Sequence, residues 1–314
     1  MSDARMAWVS GEELFGSVSM ADAIRAIQHD LREGLDPGHD LARVIDVLDH
    51  GQLLYMPSRF GEFVGAKVST VAPENPAKGL ERIHGVYVLM DATTLVPVAF
   101  LDGQALTALR TPAVSAAAAD FLAPERIDHL VVFGAGTQAW GHVAAMRAIR
   151  AIDTVSIVAR DPGHRGALVE RLVAEGVRAR HGSPADVSSA QVIVCATTAR
   201  TPLFDGATVR ADACVIAVGS HEVDARELDG TMMGRAQVVV EDPEVALREA
   251  GDVVMAVAEG YVTGSTLVAM RDVVTGAVAV DHARPRIFKS TGMPWEDLVV
   301  AVACYRTRLA AGER

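Results

Sequence analysis

Two rhythms of apolar and polar positions divide the chain. Near its start, Ser10 with Glu13 and Ser19 with Asp22 have the spacing at which a serine and an acid satisfy each other's helix-end amides. They predict a short helix near Gly11–Phe15 and a longer one over Met20–Arg32. Between Ala42 and Phe100 the texture becomes β-rich, with runs at Arg43–Leu48, Leu53–Pro57, Val64–Val71, Val86–Met90 and Pro97–Leu101. Turn-forming segments at Asp49–Gly51, Pro73–Pro76 and Asp91–Thr94 separate them, so a mostly antiparallel sheet is expected. Gln104–Leu122 is alanine-rich and helical. Pro112 inside it removes a backbone hydrogen bond, which predicts a kink just after Arg110 and Thr111.

After Pro124 the rhythm alternates. Strands are predicted at Leu130–Phe133, Thr154–Ala159, Val192–Ala196, Cys214–Val218 and Val238–Glu241, and the first few are joined by segments of helical length. A last strand is expected at Arg286–Lys289. A final helix then opens at Pro294, with Glu296 and Asp297 in its first turn, where acids suit the helix dipole. The fold class is therefore α/β: a Rossmann-type, doubly wound parallel sheet preceded by a second, α+β domain.

Bulk properties narrow the function. The 314 residues exceed the ~250–300 at which a single core stops growing, so two domains are expected. A hydrophobic fraction of 50% with 22% charged residues is that of a globular enzyme. The net charge of −11, with no lysine- or arginine-rich run, argues against nucleic acid as a partner. Cys195, Cys214 and Cys304 are widely spaced and lack a His/Cys cluster, which fits a reducing cytoplasm and neither a disulfide framework nor a metal. Met1–Ser10 has no signal-peptide core. The longest uncharged run, Leu130–Met146, is interrupted by glycines and a histidine and reads as strand, turn and helix, so no membrane partner is expected.

The strongest chemical signal follows the apolar strand His129–Phe133. Gly134-Ala135-Gly136-Thr137-Gln138-Ala139 is G-x-G-x-x-A at the opening of a plausible helix, Gln138–Ile149. Gly134 permits the tight turn, Gly136 admits a pyrophosphate to the backbone amides of Thr137 and Gln138, and Ala139 lets helix and strand pack closely. At the end of the next strand, where an NAD site usually carries an acid, stands Arg160, followed by Asp161, His164 and Arg165. A guanidinium can pair bidentately with a 2′-phosphate, so NADPH is favoured, while Asp161 leaves room for NADH. Thr197 and Thr198 follow one later strand and Val218, Gly219 and Ser220 follow another. Both groups stand at carboxyl ends of parallel strands, and they are read as contacts to the nicotinamide half.

Further segments, in unbroken order along nearly the whole chain, resemble the ornithine cyclodeaminase/mu-crystallin family. They are Leu54-Tyr55-Met56-Pro57, Gly65-Ala66-Lys67, Ile83-His84-Gly85, Leu101-Asp102-Gly103, Leu109-Arg110-Thr111, the glycine motif, Ala217-Val218-Gly219-Ser220 with Glu227-Leu228-Asp229, and Phe288-Lys289-Ser290-Thr291-Gly292. The resemblance implies a substrate-binding and dimerisation domain, residues 1–122 with 294–314, around a nucleotide-binding domain, residues 123–293, in a homodimer. It also adds Ser290 and Thr291 to the cofactor contacts.

The same resemblance carries Arg43, Lys67 and Arg110 into a substrate pocket. An arginine offers a carboxylate a permanent bidentate clamp, and Arg110, beside Thr111, suits a substrate carboxylate or a cofactor phosphate equally. Lys67 either points from its strand to solvent or enters a cleft, where it could relay a proton to an imine nitrogen. His84 is either a substrate contact or a structural histidine, and Glu259 either a pocket carboxylate or part of a solvated loop. True ornithine cyclodeaminases carry an aspartate where this chain has His221, whereas the ketimine-reductase branch has its aspartate where Asp224 stands. His221 touches substrate or caps its loop. The resemblance therefore implies reduction of a cyclic imino acid to proline or pipecolate, with NADPH as the cofactor that Arg160 favours. Ornithine cyclodeamination, an alanine- or opine-type amino-acid dehydrogenase, and a non-catalytic NADPH-binding protein are the alternatives.

Overall fold

The computed structural model describes residues 6–312. It divides into two compact units, one made of the residues through Ala113 with those from Met293 onward, the other of Val114–Gly292. The division falls beside Pro112, ahead of the boundary after Leu122 that the family resemblance implies. The helix concerned, Gly103–Leu122, runs unbroken through the proline.

Among the described residues, the first unit holds a six-stranded sheet. Its strands are β1 (Ala7–Val9), β2 (Val44–Leu48), β3 (Gly51–Phe60), β4 (Phe63–Val71), β5 (Ile83–Asp91) and β6 (Pro97–Asp102), ordered β1-β6-β5-β4-β3-β2. The hairpins make it antiparallel as expected. Only β1, which the sequence reading missed, joins parallel, on β6. Helices α1 (Gly11–Ser17) and α2 (Met20–Arg32) form behind the two predicted capping boxes, and α3 is Gly103–Leu122. The C-terminal helix α10 (Pro294–Ala310) lies on β3, β4, β5 and α2. Strand alternation decides what that helix covers: Gly65, Lys67 and Ser69 of β4 are buried while their neighbours are only half-buried. In register, Lys67 is flanked by Met56 of β3 and Tyr87 of β5, and both of these are buried. The tyrosine ring reaches across Gly65, where a Cβ would stand 2.0 Å from the phenol oxygen; hence the glycine.

The second unit carries an eight-stranded, wholly parallel sheet among the described residues. Its elements in chain order are β7 (Ile127–Phe133), α4 (Thr137–Ile149), β8 (Ile152–Val158), α5 (Pro162–Ala174), β9 (Ala179–His181), β10 (Val192–Cys195), β11 (Cys214–Ala217), α6 (Gly230–Arg235), β12 (Gln237–Val240), α7 (Pro243–Glu249), α8 (Gly251–Ala258), β13 (Val268–Ala269), α9 (Met270–Thr275) and β14 (Arg286–Lys289). The strand order is β13-β12-β14-β11-β10-β7-β8-β9. The chain winds outward from β7 through β8 to β9, then returns to place β10 on the other side of β7. That reversal leaves a crevice at the carboxyl ends of β7 and β10, the usual ligand position of such sheets. The central strands β10, β11, β12 and β14 are buried along their whole length; β10 and β11 appear in sequence as continuous apolar runs, whereas β12 opens on Gln237 and β14 is bracketed by Arg286 and Lys289. The short edge strands β9 and β13, and the helices α7, α8 and α9, lack such a signal and were not foreseen. Among the described residues no helix is long and apolar enough to cross a membrane, and no cluster of His, Cys, Asp and Glu could hold a metal ion.

Candidate active site

In the first unit the cations of β4 and α3 meet the acids of α10. Lys67 Nζ donates to Asp297 Oδ1 at 2.9 Å and to Thr107 Oγ1 at 3.1 Å, and lies 2.8 Å from Asp297 Oδ2. Arg110 Nε donates to Asp297 Oδ1 at 3.2 Å, and its Nη1 to Glu296. Lys67 is 2% exposed, Arg110 5%, and both acids 0%, so two cations and two anions form one buried, balanced quartet. The first turn of α10 supplies both acids, and Glu296 also closes the helix start by accepting from Met293 N at 2.8 Å. Burial pushes the Lys67 ammonium down to about 8, against the attraction of Asp297. Its proton is thus available near neutral pH.

The remaining candidates of this unit are distributed differently. Arg43 is half-buried just ahead of β2, and Thr111 is half-buried on α3. His84 pairs in register with Thr70, three positions from Lys67 along β4, so alternation puts it on the opposite face of the sheet, and it is exposed. It does not join Lys67.

In the second unit, Gly134 has φ +116°, and a Cβ there would stand 2.3 Å from the carbonyl oxygen of Ala196; only glycine fits the turn. Ala139 is fully buried beneath it. Gly136 is the N-cap of α4 and provides no side-chain cap, and a Cβ built on it meets nothing within 4 Å. The first turn of α4, at Thr137 and Gln138, therefore begins behind a glycine that contributes no capping side chain. This is the cradle that a pyrophosphate needs, so the residues fit a dinucleotide. Arg160 is exposed just past β8, and Arg165 is half-buried on α5. Asp161 caps α5, its Oδ1 accepting from His164 N at 2.8 Å, which gives this acid a structural task.

The other cofactor candidates stand at the carboxyl edge of the sheet, held by carboxylates that the sequence reading missed. Glu227, fully buried, accepts from Thr197 N at 2.9 Å and Thr197 Oγ1 at 2.7 Å through Oε1, and from Gly219 N at 2.8 Å through Oε2. It ties the loops after β10 and β11 together. Asp252 accepts from the amides of Glu227 and Leu228 and lies 3.0 Å from Lys289, which donates to the Ser220 carbonyl at 2.6 Å. Ser220 is buried, with its hydroxyl turned to the Ala225 carbonyl. Glu241 accepts from Ser290 Oγ at 2.8 Å, from Thr291 N and Oγ1 at 2.8 and 3.1 Å, and from Gly292 N at 3.2 Å. The hydroxyls of Ser220 and Ser290 thus serve the fold. Thr198 is exposed and Val218 half-buried beside them. His221 is exposed in a loop whose Glu222 and Asp224 both pair with Arg200. Glu259 is paired with Arg226 on the surface, as its solvated-loop reading has it. Glu241 carried a usable signal, being a charged residue that directly follows the apolar run Val238–Val240.

A wholly parallel sheet with a glycine-rich turn after its first strand, in a chain that also holds an α+β unit with a buried lysine–arginine pair, defines a two-domain oxidoreductase architecture. The family model of the ornithine cyclodeaminase/mu-crystallin family matches residues 8–312, and the chain belongs to that family. A Δ1-pyrroline-2-carboxylate reductase of Colwellia psychrerythraea is 32% identical over 265 residues, 81% of this chain and 83% of that protein. The solved Δ1-pyrroline-2-carboxylate reductase of Thermococcus litoralis, in complex with NADH and L-proline, superposes with a TM-score of 0.92 at 28% identity, covering 98% of this chain and 99% of that one. An archaeal alanine dehydrogenase dimer with bound NAD has a TM-score of 0.91 at 26% identity, covering 98% and 97%.

Removing one member of a buried ion quartet leaves its partners uncompensated. Asp297→Asn should therefore lower stability by about 3–5 kcal/mol. Urea denaturation followed by circular dichroism reads the loss, and an unchanged midpoint would show the carboxylate to be dispensable.

Proposed function

We propose that the protein reduces cyclic α-imino acids such as Δ1-pyrroline-2-carboxylate or Δ1-piperideine-2-carboxylate, giving proline or pipecolate, with NADPH preferred over NADH. The observation that carries the reading is the buried Lys67–Arg110 pair, a proton donor and a carboxylate clamp held together by α10. The names of the Colwellia and Thermococcus relatives support the same chemistry. When bound, the reduced nicotinamide supplies a hydride to the imine carbon, the imine nitrogen gains a proton, and the ring is left as a pyridinium cation.

The roles of the chain's own residues follow. The α4 amides and Gly136 hold the pyrophosphate, and Arg160 takes a 2′-phosphate. Thr197, Thr198, Val218 and Gly219 border the nicotinamide. Arg110 and Arg43 orient the substrate carboxylate, with Thr111 beside Arg110, and Lys67 delivers the proton. With His221 at the position where a cyclodeaminase carries its aspartate, reduction of a preformed ring is favoured over ring closure of ornithine. The cytoplasm is the fitting compartment, since Cys195, Cys214 and Cys304 are all free and buried. A homodimer is proposed through the first unit, where Trp8, Val44, Val47, Leu48 and Tyr55 are exposed on the sheet. Analytical ultracentrifugation should give twice the chain mass, and a monomer would remove that part of the reading.

The primary experiment follows NADPH absorbance with each cyclic imine, beside NADH and beside ornithine with NAD. Rapid oxidation of NADPH with an imine and none of the ornithine reaction supports the proposal. Silence with both imines, accompanied by ammonia-dependent turnover of a 2-oxo acid, would replace it with an open-chain amino-acid dehydrogenase, the reaction class of the archaeal neighbour. Lys67→Ala should abolish turnover and leave NADPH binding nearly intact. The ammonium is the active form and its pKa is about 8, so activity is full below that pH and falls as pH rises through it. A profile flat to pH ~10 would remove Lys67 as the proton donor.

A further inference from the structure

The ammonium of the first unit is enclosed. Lys67 Nζ is met by Thr107 and Asp297, and the residue is 2% exposed. A lysine that gives up a proton at every turnover must be recharged, and burial leaves few groups through which a proton can reach it. The sheet supplies one. Tyr87 stands directly opposite Lys67 in the β4–β5 register and is fully buried. Its hydroxyl lies over Gly65, two residues from Lys67 along β4. Among the described residues that hydroxyl has no hydrogen-bond partner. A buried phenol in this state is a host for ordered water, which carries protons to and from it. Gly65 pairs in turn with Ser58 of β3, which is buried as well. Beyond Ser58 comes Asp40, half-buried in the segment ahead of β2. Burial pushes the Asp40 carboxyl up to about 6, against the Ser58 hydroxyl and the amides of Leu41, Trp295 and Arg59. The phenol feels both ends of this row. Its pKa is pushed well up by burial, then by the charges of Asp297 and Asp40, so it stays a neutral O–H.

We propose that Asp40, Ser58 and Tyr87 form a proton line that recharges Lys67 through Asp297, with Asp40 as its solvent end. The inference rests on reading Lys67 as the proton donor. Once the ammonium has given its proton to the imine nitrogen, Lys67 is a neutral amine. Tyr87 passes its hydroxyl proton toward Asp297 and the amine while taking one from the Asp40 side. The Asp40 carboxylate is then reprotonated by water, so one proton enters per turnover and no electrons move. The direction is downhill, because an acid of about 6 gives its proton to an amine of about 8. The other charged groups on the elements packed there are Arg110 of α3 and Glu296 of α10, paired within the quartet, and Arg43 close by on Asp40's own segment. Arg59 gives Asp40 its amide and is itself exposed. Neither Tyr87 nor Asp40 needs to touch the substrate; both act through Lys67.

The test separates the first turnover from the later ones. The whole protein with NADPH is mixed with a cyclic imine at pH ~7 in stopped flow and followed by NADPH absorbance. Tyr87→Phe keeps the ring over Gly65 and loses the hydroxyl, and Asp40→Asn keeps the shape and loses the acid. Lys67 begins charged in both variants, so the first turnover should keep the parent rate. Steady turnover should fall roughly tenfold, with KM for the imine within about twofold of the parent. A residue that only shapes the pocket would slow the first turnover as much as the rest. That result, or no loss at all, overturns the line. Infrared spectra without substrate give a second reading: a protonated carboxyl band that titrates at about 6 in the parent and is missing from Asp40→Asn. A parent without that band also overturns the line. Should Asp40→Asn fail to fold, Tyr87→Phe decides alone. A parent protein silent with both imines is a different result: it removes the role of Lys67 as donor, and this inference with it.

Discussion

The first unit is organised by one electrostatic constraint. Two strong cations, Lys67 and Arg110, sit in a nearly dry interior, and each would be costly there without a counter-charge. The counter-charges are adjacent residues in the first turn of α10, far along the chain. Their pairing fixes the rotation of α10, because the turn that faces β4 must be the one carrying Glu296 and Asp297. It also gives the site its chemistry, since the same desolvation that makes the pairing necessary brings the Lys67 proton into the range useful for catalysis.

The second unit meets the corresponding problem at its sheet edge with acids that act as loop fasteners. One carboxylate holds two loop ends through Glu227, and another gathers the three residues after β14 through Glu241. Gly219 belongs to this device as much as to any ligand, because a Cβ there would stand 2.5 Å from Glu227 Oε1 and 2.1 Å from the Thr197 carbonyl oxygen. Motif glycines and buried acids are therefore two halves of one geometry.

Legibility followed the range of the interactions. The glycine motif, the capping boxes at Ser10 and Ser19, and the strands β10, β11 and β14 were readable because each is decided within a few residues. Lys67 and Arg110 were found through the ordered family segments. Their partners were not, since Glu296 and Asp297 look in sequence like ordinary acids at a helix start. The two readings of His84 stayed open for a related reason. Its face depends on the β4–β5 register, which hangs on the connection between the strands and not on the residues beside it. Ser220 was assigned to a ligand from its place at the carboxyl end of a parallel strand, and Ser290 through the family resemblance. Only the folded chain reveals that the Ala225 carbonyl and Glu241 have taken them.

The discontinuity of the first unit bears on how the protein is made. During synthesis, everything through Ala113 leaves the ribosome before the acids that neutralise Lys67 and Arg110 exist. The second unit, though contiguous, completes its parallel sheet only when the central strand β14 is made, and the first waits with its β3–β5 face uncovered until α10 follows. Nascent chains of this fold therefore spend most of their synthesis with both domains open, and any stall before Glu296 leaves an apolar sheet with two unmatched cations for chaperones to shield.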